Sequence, residues 1–250
     1  MALQCPRLFH YRYVERVKEP ETMPELRVGK AIHSALEQIL LGTPLFDAVA
    51  EARQQLESER EVARFDAIGV GIRPFVERID EFRRRRRVRR QLIEFPLAMR
   101  EDLTTTTFYN SDAFYRGILD VAYVFDSDNL ALVDHKSGVR TGQRTIVEQL
   151  EGYAVLAAAY FRNIGRIWLG IHWVASGVLE WARPVKTSDV NQHFLPRVLD
   201  NIEAAALAID DGPRSHPGSW CERCAYRSIC PTGRELRFEP VDDDEPEPWM

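Results

Sequence analysis

The four cysteines of this 250-residue chain stand near its two ends, and this placement limits the folds that it can adopt. Cys5 lies at the start, and 216 residues later Cys221, Cys224 and Cys230 form a C-x2-C-x5-C group followed by a proline. If the four side chains bind one metal centre, the fold must bring the two ends together. Four cysteines without paired histidines are typical of Zn²⁺ or of a [4Fe–4S] cluster, and the spacing alone does not choose between them.

The remaining composition is that of an ordinary soluble chain, with 45% hydrophobic and 28% charged residues. No apolar run reaches the roughly 18 residues of a membrane span, and the N-terminus lacks the apolar stretch of a signal peptide. We therefore expect a cytoplasmic protein without membrane contact, in which two disulfides are not favoured. Residues 239–250 carry six acids and no base, so the net charge of −5 becomes +1 without them. This acidic tail is predicted to be disordered.

Hydrophobic periodicity predicts one α/β domain over residues 1–238. Apolar positions at helical spacing predict helices over 25–41, 45–62, 71–87, about 143–162 and about 189–209. Short segments rich in β-branched and aromatic residues predict strands over 91–100, 113–126, 129–136, 166–175 and 178–184. This order of elements favours a central mixed β-sheet flanked by helices.

One strand-rich stretch, GILDVAYVFDSDNLALVDHK, brings two acids and a lysine together. Side chains alternate along a strand, so Asp134 and Lys136 point to the same face. A tight turn in the middle of the stretch would put Asp120 opposite His135, within one residue of Asp134. Burying two acids side by side costs free energy, and a bound Mg²⁺ or Mn²⁺ would offset that cost. A metal-free Asp–Lys ion pair at the end of a strand explains the same residues.

Two helical motifs flank this stretch. Gly29 and His33 are one turn apart in a GxxxH motif, on the predicted helix that precedes the sheet. Gln149 and Tyr153 form a QxxxY motif and share one face of the helix that follows the strands. Each motif alone occurs by chance, and a single helical histidine is more often structural than a ligand.

The ordered set GxxxH, GxxD, DxK and QxxxY, within residues 5–230, resembles the RecB-like exonuclease branch of the PD-(D/E)XK nuclease superfamily. The resemblance implies a restriction-endonuclease-like core that hydrolyses DNA with Mg²⁺ or Mn²⁺. It implies that the metal ligands are His33, Asp120 and Asp134. It also implies that Lys136 orients or activates the attacking water, and that Gln149 and Tyr153 support the site or contact DNA.

The cysteines carry a second resemblance. One N-terminal cysteine in the context CPRLFHYRYV, with a C-terminal cysteine triplet, resembles the iron–sulfur nucleases that include Cas4 and the AddB nuclease domain. The resemblance implies a [4Fe–4S] cluster on Cys5, Cys221, Cys224 and Cys230 that staples the chain ends together, with Zn²⁺ as the alternative. It also implies a Cas4-like single-strand exonuclease in CRISPR spacer acquisition, with Cas1 and Cas2 as partners.

Three other hypotheses remain. A phage or repair exonuclease of the same fold would carry an identical motif set. A non-catalytic iron–sulfur DNA-binding scaffold predicts a broken active site, whereas every motif position is filled here. A zinc-stapled structural protein explains the cysteines but leaves the convergence of Asp120, Asp134 and Lys136 unexplained.

The arginines are concentrated in residues 83–90, which read RRRRRVRR. Such a run is either a solvated face or a surface that binds phosphates. On the second interpretation Arg84, Arg85 and Arg87 are the candidate DNA contacts.

Overall fold

The structure is a computed structural model that describes residues 5–19, 24–138, 143–210 and 212–236. The acidic tail predicted over residues 239–250 lies outside these ranges. The chain divides into two compact units. The larger is Pro24–Asp200, and the smaller combines Met1–Met23 with Asn201–Met250.

The helices are α1 (Pro6–Phe9), α2 (Pro24–Leu40), α3 (Leu45–Arg53), α4 (Glu59–Gly69), α5 (Ile72–Arg86), α6 (Gln143–Tyr160), α7 (Thr187–Asp189), α8 (Leu195–Asp210) and α9 (Pro231–Glu235). The strands are β1 (Val88–Met99), β2 (Thr105–Thr106), β3 (Tyr115–Phe125), β4 (Asn129–Lys136), β5 (Arg166–Trp173), β6 (Val178–Trp181) and β7 (Val185–Lys186). Among the described helices, none has both the length and the apolar character needed to cross a membrane.

The larger unit contains a mixed sheet of seven strands in the order β2-β1-β3-β4-β5-β6, with β7 also paired to β5. The β4–β5 pair is parallel and the other pairs are antiparallel. Helix α6 connects β4 to β5, as a parallel pair requires a crossover. The predicted fold class, a central mixed sheet flanked by helices, is confirmed.

Helices cover the two faces of this sheet. On one face, Ile32 of α2 and Phe75 of α5 pack in a core cluster with Val121 of β3 and Val133 of β4. On the other face, Lys136 of β4 contacts α6 through Gln149. Because side chains alternate along β4, the even-numbered residues face α6 and the odd-numbered ones face α2 and α5.

The single helix predicted over residues 45–62 is wrong, since two helices occupy this region. Ser58 adopts an extended backbone and caps α4: its hydroxyl accepts a hydrogen bond from the Glu61 backbone N–H, and the Glu61 carboxylate accepts one from the Ser58 N–H. Such a capping box begins a new helix. Glu61 is also buried and ion-paired with Arg27, 2.6 Å away, which fixes α4 beside α2.

In the smaller unit, the segment after Cys5 packs on the segment that carries the other cysteines. Tyr11 and Tyr226 form a buried aromatic pair with 5.3 Å between ring centroids. The Tyr226 hydroxyl donates to the carbonyl oxygen of Val17 (2.9 Å), and the N–H of Arg7 donates to the carbonyl oxygen of Arg214 (3.1 Å). The two ends of the described chain are therefore in direct contact.

Candidate active site

The two acids of the central hairpin lie directly across from each other. The β3–β4 ladder ends on this side with the pair Val121 and Val133, so the next residues, Asp120 and Asp134, are aligned. Directly opposite residues of an antiparallel pair lie close enough for their side chains to interact. The register therefore aligns the two predicted acids, although the ligand atoms that lie within 4.8 Å of one another belong to Asp120, His33 and Glu94 and not to Asp134.

The register differs by one residue from the prediction, which placed Asp120 opposite His135. The loop between the strands has three residues, 126–128, with Asp128 in the left-handed conformation (φ 52°), whereas a pairing of Asp120 with His135 would need a loop with an even number of residues. His135 contributes its backbone instead, since its N–H donates a hydrogen bond of 2.6 Å to the Asp120 carboxylate. The carboxylate takes the acceptor role that a strand carbonyl has elsewhere in the ladder.

A third acid, Glu94 of β1, stands beside Asp120 and is missing from the sequence-based prediction. The neighbouring pairs on either side place Glu94 opposite Asp120 in the β1–β3 ladder. Its backbone is left-handed (φ 45°), a conformation that costs energy for a residue with a β-carbon. The only signal in the sequence is one acid inside the otherwise apolar segment LIEFPLA.

The left-handed backbone at Glu94 makes β1 change faces. Ile93 packs with the cluster on the α2 and α5 side, but Phe95 contacts Tyr160 of α6, with 5.3 Å between ring centroids. In a regular strand these two positions would share a face. Glu94 lies at the point of rotation, where its carboxylate can meet a side chain from α2.

That side chain is His33. One ligand atom from each of His33, Glu94 and Asp120 lies within 4.8 Å of the other two, and no other such group occurs in the described parts of the chain. The His33 Nδ1 atom is 3.7 Å from Asp120 Oδ2. Gly29 lies where α2 passes close to the chain just beyond β4, since a β-carbon there would be 3.3 Å from Ser137 Oγ, a tight contact that a rotation of the serine could relieve.

Asp134 and Lys136 begin a connected chain of polar contacts. Lys136 Nζ lies 2.7 Å from Asp134 Oδ2 and donates a hydrogen bond of 2.7 Å to Gln149 Oε1. Gln149 Nε2 donates in turn to the Tyr153 hydroxyl, also at 2.7 Å. The structure therefore brings the DxK and QxxxY residues together.

Burial and mutual repulsion make the two aspartates difficult to ionise. Burial, followed by repulsion from Asp134, raises the pKa of Asp120 to about 7, and the hydrogen bond from His135 offsets only part of this rise. Burial likewise raises the pKa of Asp134 against the opposing effect of Lys136. Asp134 Oδ2 is fully buried, and apart from its ion pair it has no well-aligned hydrogen bond within the described residues. A carboxylate pair of this kind gains most from a bound cation.

Glu94 shares this environment. Burial, followed by repulsion from Asp120, raises its pKa, while His33 acts in the opposite direction. An open cavity of about 480 Å³ borders Glu94 and His33, but Asp120 and Asp134 are not among the residues that line it. It is lined by Glu25, Leu26, Gly29, Lys30, His33, Ser34, Glu37, Glu94 and Ser137.

The His135 side chain points away from the carboxylates, as predicted. It is buried between Phe75, whose ring centroid is 5.0 Å away, and His172, with 2.9 Å between the two Nδ1 atoms. Burial lowers the pKa of His135 and lowers that of His172 to about 3. Both imidazoles are therefore neutral at physiological pH and belong to the core.

The three predicted DNA-binding arginines lie where α5 passes into β1. Helix α5 ends at Arg86, and Arg84, Arg85 and Arg87 are exposed. Arg85 pairs with Glu81 at 2.5 Å. Basic side chains in the last turn of a helix also interact favourably with the helix dipole. Part of the arginine run at residues 83–90 can therefore serve to stabilise the end of α5.

The four predicted cluster ligands lie near one another in the smaller unit. Cys5 is buried and the other three cysteines are partly exposed. Burial raises the pKa of Cys224, and Cys221, Cys5 and Cys230 each raise it further, so all three are within electrostatic reach. No three of these sulfur atoms, all of them in described residues, lie within 4.8 Å of one another.

Comparison with known proteins gives the family. The sequence profile of the PD-(D/E)XK nuclease superfamily matches residues 2–231, which is most of the chain. A search of curated protein sequences returned no significant match. The matched region spans the sheet, the converging acids and the cysteines described above. The chain therefore belongs to the PD-(D/E)XK nuclease superfamily, whose members are nucleases that use divalent metal ions.

Proposed function

We propose that this protein is a Mg²⁺- or Mn²⁺-dependent DNA nuclease that hydrolyses phosphodiester bonds at this site. The observation that carries the proposal is the buried pair Asp120 and Asp134 beside Lys136, next to the cavity lined by His33 and Glu94. Family membership gives the class of enzyme, and these residues supply the chemistry that the class requires.

The donor set fits a divalent metal ion. His33, Asp120 and Asp134 are the ligands expected from the sequence, and Glu94 extends the set from a fourth element. A bound cation would neutralise the repelling carboxylates, polarise a water molecule and stabilise charge on the phosphate. An imidazole ligand favours Mn²⁺ more than an all-oxygen site does.

We assign the contact with the attacking water and the phosphate to Lys136. Its ammonium is fixed between Asp134 and Gln149, and 25% of its side chain remains exposed. From there it can donate a hydrogen bond to a water molecule or to a phosphate oxygen, and it stabilises the negative charge that develops in the transition state. Gln149 and Tyr153 act as positioning residues, since their hydrogen bonds hold the lysine in place.

The substrate that we propose is single-stranded DNA, degraded from an end by a cytoplasmic, Cas4-like exonuclease in CRISPR spacer acquisition, with Cas1 and Cas2 as partners. The support is the order of the four motifs together with the four terminal cysteines. The packing of the segment after Cys5 on the segment around Tyr226 agrees with this pattern.

For the smaller unit we propose a [4Fe–4S] cluster bound by Cys5, Cys221, Cys224 and Cys230. The support is the resemblance of the cysteine pattern, one N-terminal cysteine and a C-terminal triplet, to that of the iron–sulfur nucleases. Zn²⁺, which the same four thiolates can bind, is the alternative.

A cleavage assay tests the function. End-labelled linear and circular single strands are incubated with the purified protein and Mn²⁺, Mg²⁺ or EDTA. We expect metal-dependent degradation of the linear strand, intact circles, and no cleavage in EDTA or with Asp134→Asn. Asp126→Asn, an exposed acid in the loop of the same hairpin, is the matched control and should retain activity. Cleavage of circles would refute the exonuclease, and cleavage by Asp134→Asn would refute the site.

A further inference from the structure

A second cavity, of about 220 Å³, lies in the larger unit near the other end of the sheet. It is lined by Phe82, Arg86, Phe125, Trp168, Trp181 and Ala182. Phe125 is five residues beyond Asp120 along β3, and Trp168 pairs with Ala131, three residues before Asp134 in β4. At about 3.3 Å per strand residue, roughly 10 to 17 Å separate this cavity from the carboxylates. The proposed chemistry therefore makes no use of it.

Aromatic rings form most of the cavity wall. Phe82 stacks on Trp181 with 5.3 Å between centroids and 19° between planes, and Phe125 meets Trp168 edge-on at 5.8 Å. The indole N–H groups of Trp168 and Trp181 have no hydrogen bond within the described residues, and neither is shut away from solvent. The wall thus offers flat apolar surfaces together with unused hydrogen-bond donors.

Gly170 makes the position of Trp181 possible. The two residues are paired across β5 and β6, and a β-carbon on Gly170 would lie 2.7 Å from ring atom Cζ3 of Trp181. Only a glycine lets the indole lie flat over the neighbouring strand. The sequence therefore contains a residue that this wall requires.

The wall of the cavity itself carries one positive charge, that of Arg86. The guanidinium carbon of Arg86 lies 5.9 Å from the ring centroid of Trp168, and the six lining residues include no acid. Arg183, two residues after Trp181, is exposed, whereas Arg83, one helical turn before Arg86, is ion-paired with Asp80 at 3.5 Å. Guanidinium groups beside aromatic rings favour a ligand that is both planar and anionic.

We propose that this cavity receives one unpaired base of single-stranded DNA, while Arg86 contacts a neighbouring phosphate. The inference rests on the proposed function, because it assumes that DNA is the substrate. The volume is below the roughly 300 Å³ at which small-molecule pockets begin, but it can hold a single ring system. Stacking of bases on aromatic side chains inside a basic groove is how proteins bind single strands without sequence preference.

The test compares two oligonucleotides that differ only in their bases. Binding of fluorescein-labelled oligo-dT and of an abasic strand of the same length is measured by anisotropy, in the cleavage-deficient Asp134→Asn background. Trp168→Leu should weaken oligo-dT binding by at least about fivefold, the effect of losing one stacked base, and should leave abasic binding within about twofold. Phe46→Leu, an aromatic residue that is 80% exposed elsewhere in the unit, is the control and should change neither.

Each result decides the proposal. If Trp168→Leu weakens the binding of both strands equally, or of neither, base stacking is overturned. If neither strand binds more weakly, a protein partner becomes the expected occupant of the cavity. If Trp168→Leu does not fold, Arg86→Gln still tests the site: it should lower the slope of log affinity against log salt by about 0.7 on single strands, and an unchanged slope overturns the phosphate contact. A protein that cleaves DNA but fails these tests keeps the proposed function. A protein that neither binds nor cleaves DNA would contradict both the proposed function and the base-binding cavity.

Discussion

The backbone N–H of His135 donates a hydrogen bond of 2.6 Å to the carboxylate of Asp120. This bond ties the acid of β3 to the backbone between Asp134 and Lys136 of β4. Because the donor is a main-chain group, the bond does not depend on the imidazole of His135, and the hairpin register holds Asp120 in place. Such a hydrogen bond stabilises by about 0.5–1.5 kcal/mol while Asp120 is protonated and by about 1.5–3 kcal/mol once it is ionised.

Lys136→Ala should lower the cleavage rate by at least about 100-fold, the usual effect of removing one group that stabilises transition-state charge. Metal affinity should change much less, because the lysine is not a ligand. Single-turnover rates and Mn²⁺ titration measure the two effects separately. Lys186→Ala, an exposed lysine in β7, is the control and should behave as wild type. A normal rate in Lys136→Ala would remove this residue from the chemistry.

Glu94→Gln should weaken metal binding and cleavage, because it replaces one acid of the trio with His33 and Asp120 by a neutral, isosteric side chain. The loss of cleavage activity should be largest at low Mn²⁺ concentration, and a high Mn²⁺ concentration should partly restore the activity. Glu37→Gln removes another acid that lines the same cavity but lies outside the trio, and it should have little effect. Equal behaviour of the two variants would show that Glu94 is not a ligand.

The raised pKa of Asp120 predicts how the metal-free protein responds to pH. The folded state holds the Asp120 proton up to about pH 7, whereas an unfolded aspartate titrates near 3.9. This contribution to stability is fully present below about pH 4 and is lost as the pH rises through about 7.

In EDTA, the free energy of unfolding of the wild type relative to Asp120→Asn should therefore fall by a few kcal/mol between about pH 4 and 7. Denaturant unfolding at a series of pH values measures this difference. Mn²⁺ added at pH 7.5 should restore the free energy of unfolding that the wild type has lost. Parallel pH profiles for wild type and variant would contradict the assigned environment of Asp120.

The sheet and the motif hairpin could be predicted from the sequence because strand alternation is a local property. Asp134 and Lys136 share a face for that reason alone. The register is predictable only to within one residue, because it depends on the length of the loop and on the left-handed backbone of Asp128. The break between α3 and α4 was predictable, since Ser58 and Glu61 form the S-x-x-E pattern of a capping box.

Other features depend on contacts between distant parts of the chain. Glu94 meets Asp120 only through the β1–β3 pairing and its own left-handed backbone. Trp181 lies flat only because Gly170 stands opposite it on another strand. Neither pair has a spacing or periodicity that marks it in the sequence.

The proposed cluster predicts coloured protein. Anaerobically prepared protein should be brown, absorb near about 400 nm and contain about four iron atoms per chain, as expected of a thiolate-bound [4Fe–4S] cluster. Cys224→Ala should lose colour and thermal stability together, because the centre joins distant segments of the smaller unit. Ser228→Ala, an exposed residue between Cys224 and Cys230, is the control. Colourless protein with one zinc and no iron after anaerobic reconstitution would favour the zinc site.

The arginines at the end of α5 make a separate prediction about DNA affinity. Changing Arg84, Arg85 and Arg87 to Gln should weaken the binding of single strands. It should also lower the slope of log affinity against log salt by about two, since each phosphate contact contributes about 0.7. The rate at saturating DNA should stay the same, because none of the three residues is assigned to the chemistry.

A general effect of charge must be separated from a specific surface. The triple variant of Arg60, Arg73 and Arg162 to Gln removes the same charge from other exposed positions of the larger unit, so it should leave the salt slope nearly unchanged. If both triple variants lower the slope of log affinity against log salt by the same amount, DNA binding depends on the net charge of the protein and not on this surface. If the α5 variant keeps the wild-type slope but melts at a lower temperature, the arginines serve the helix end through its dipole.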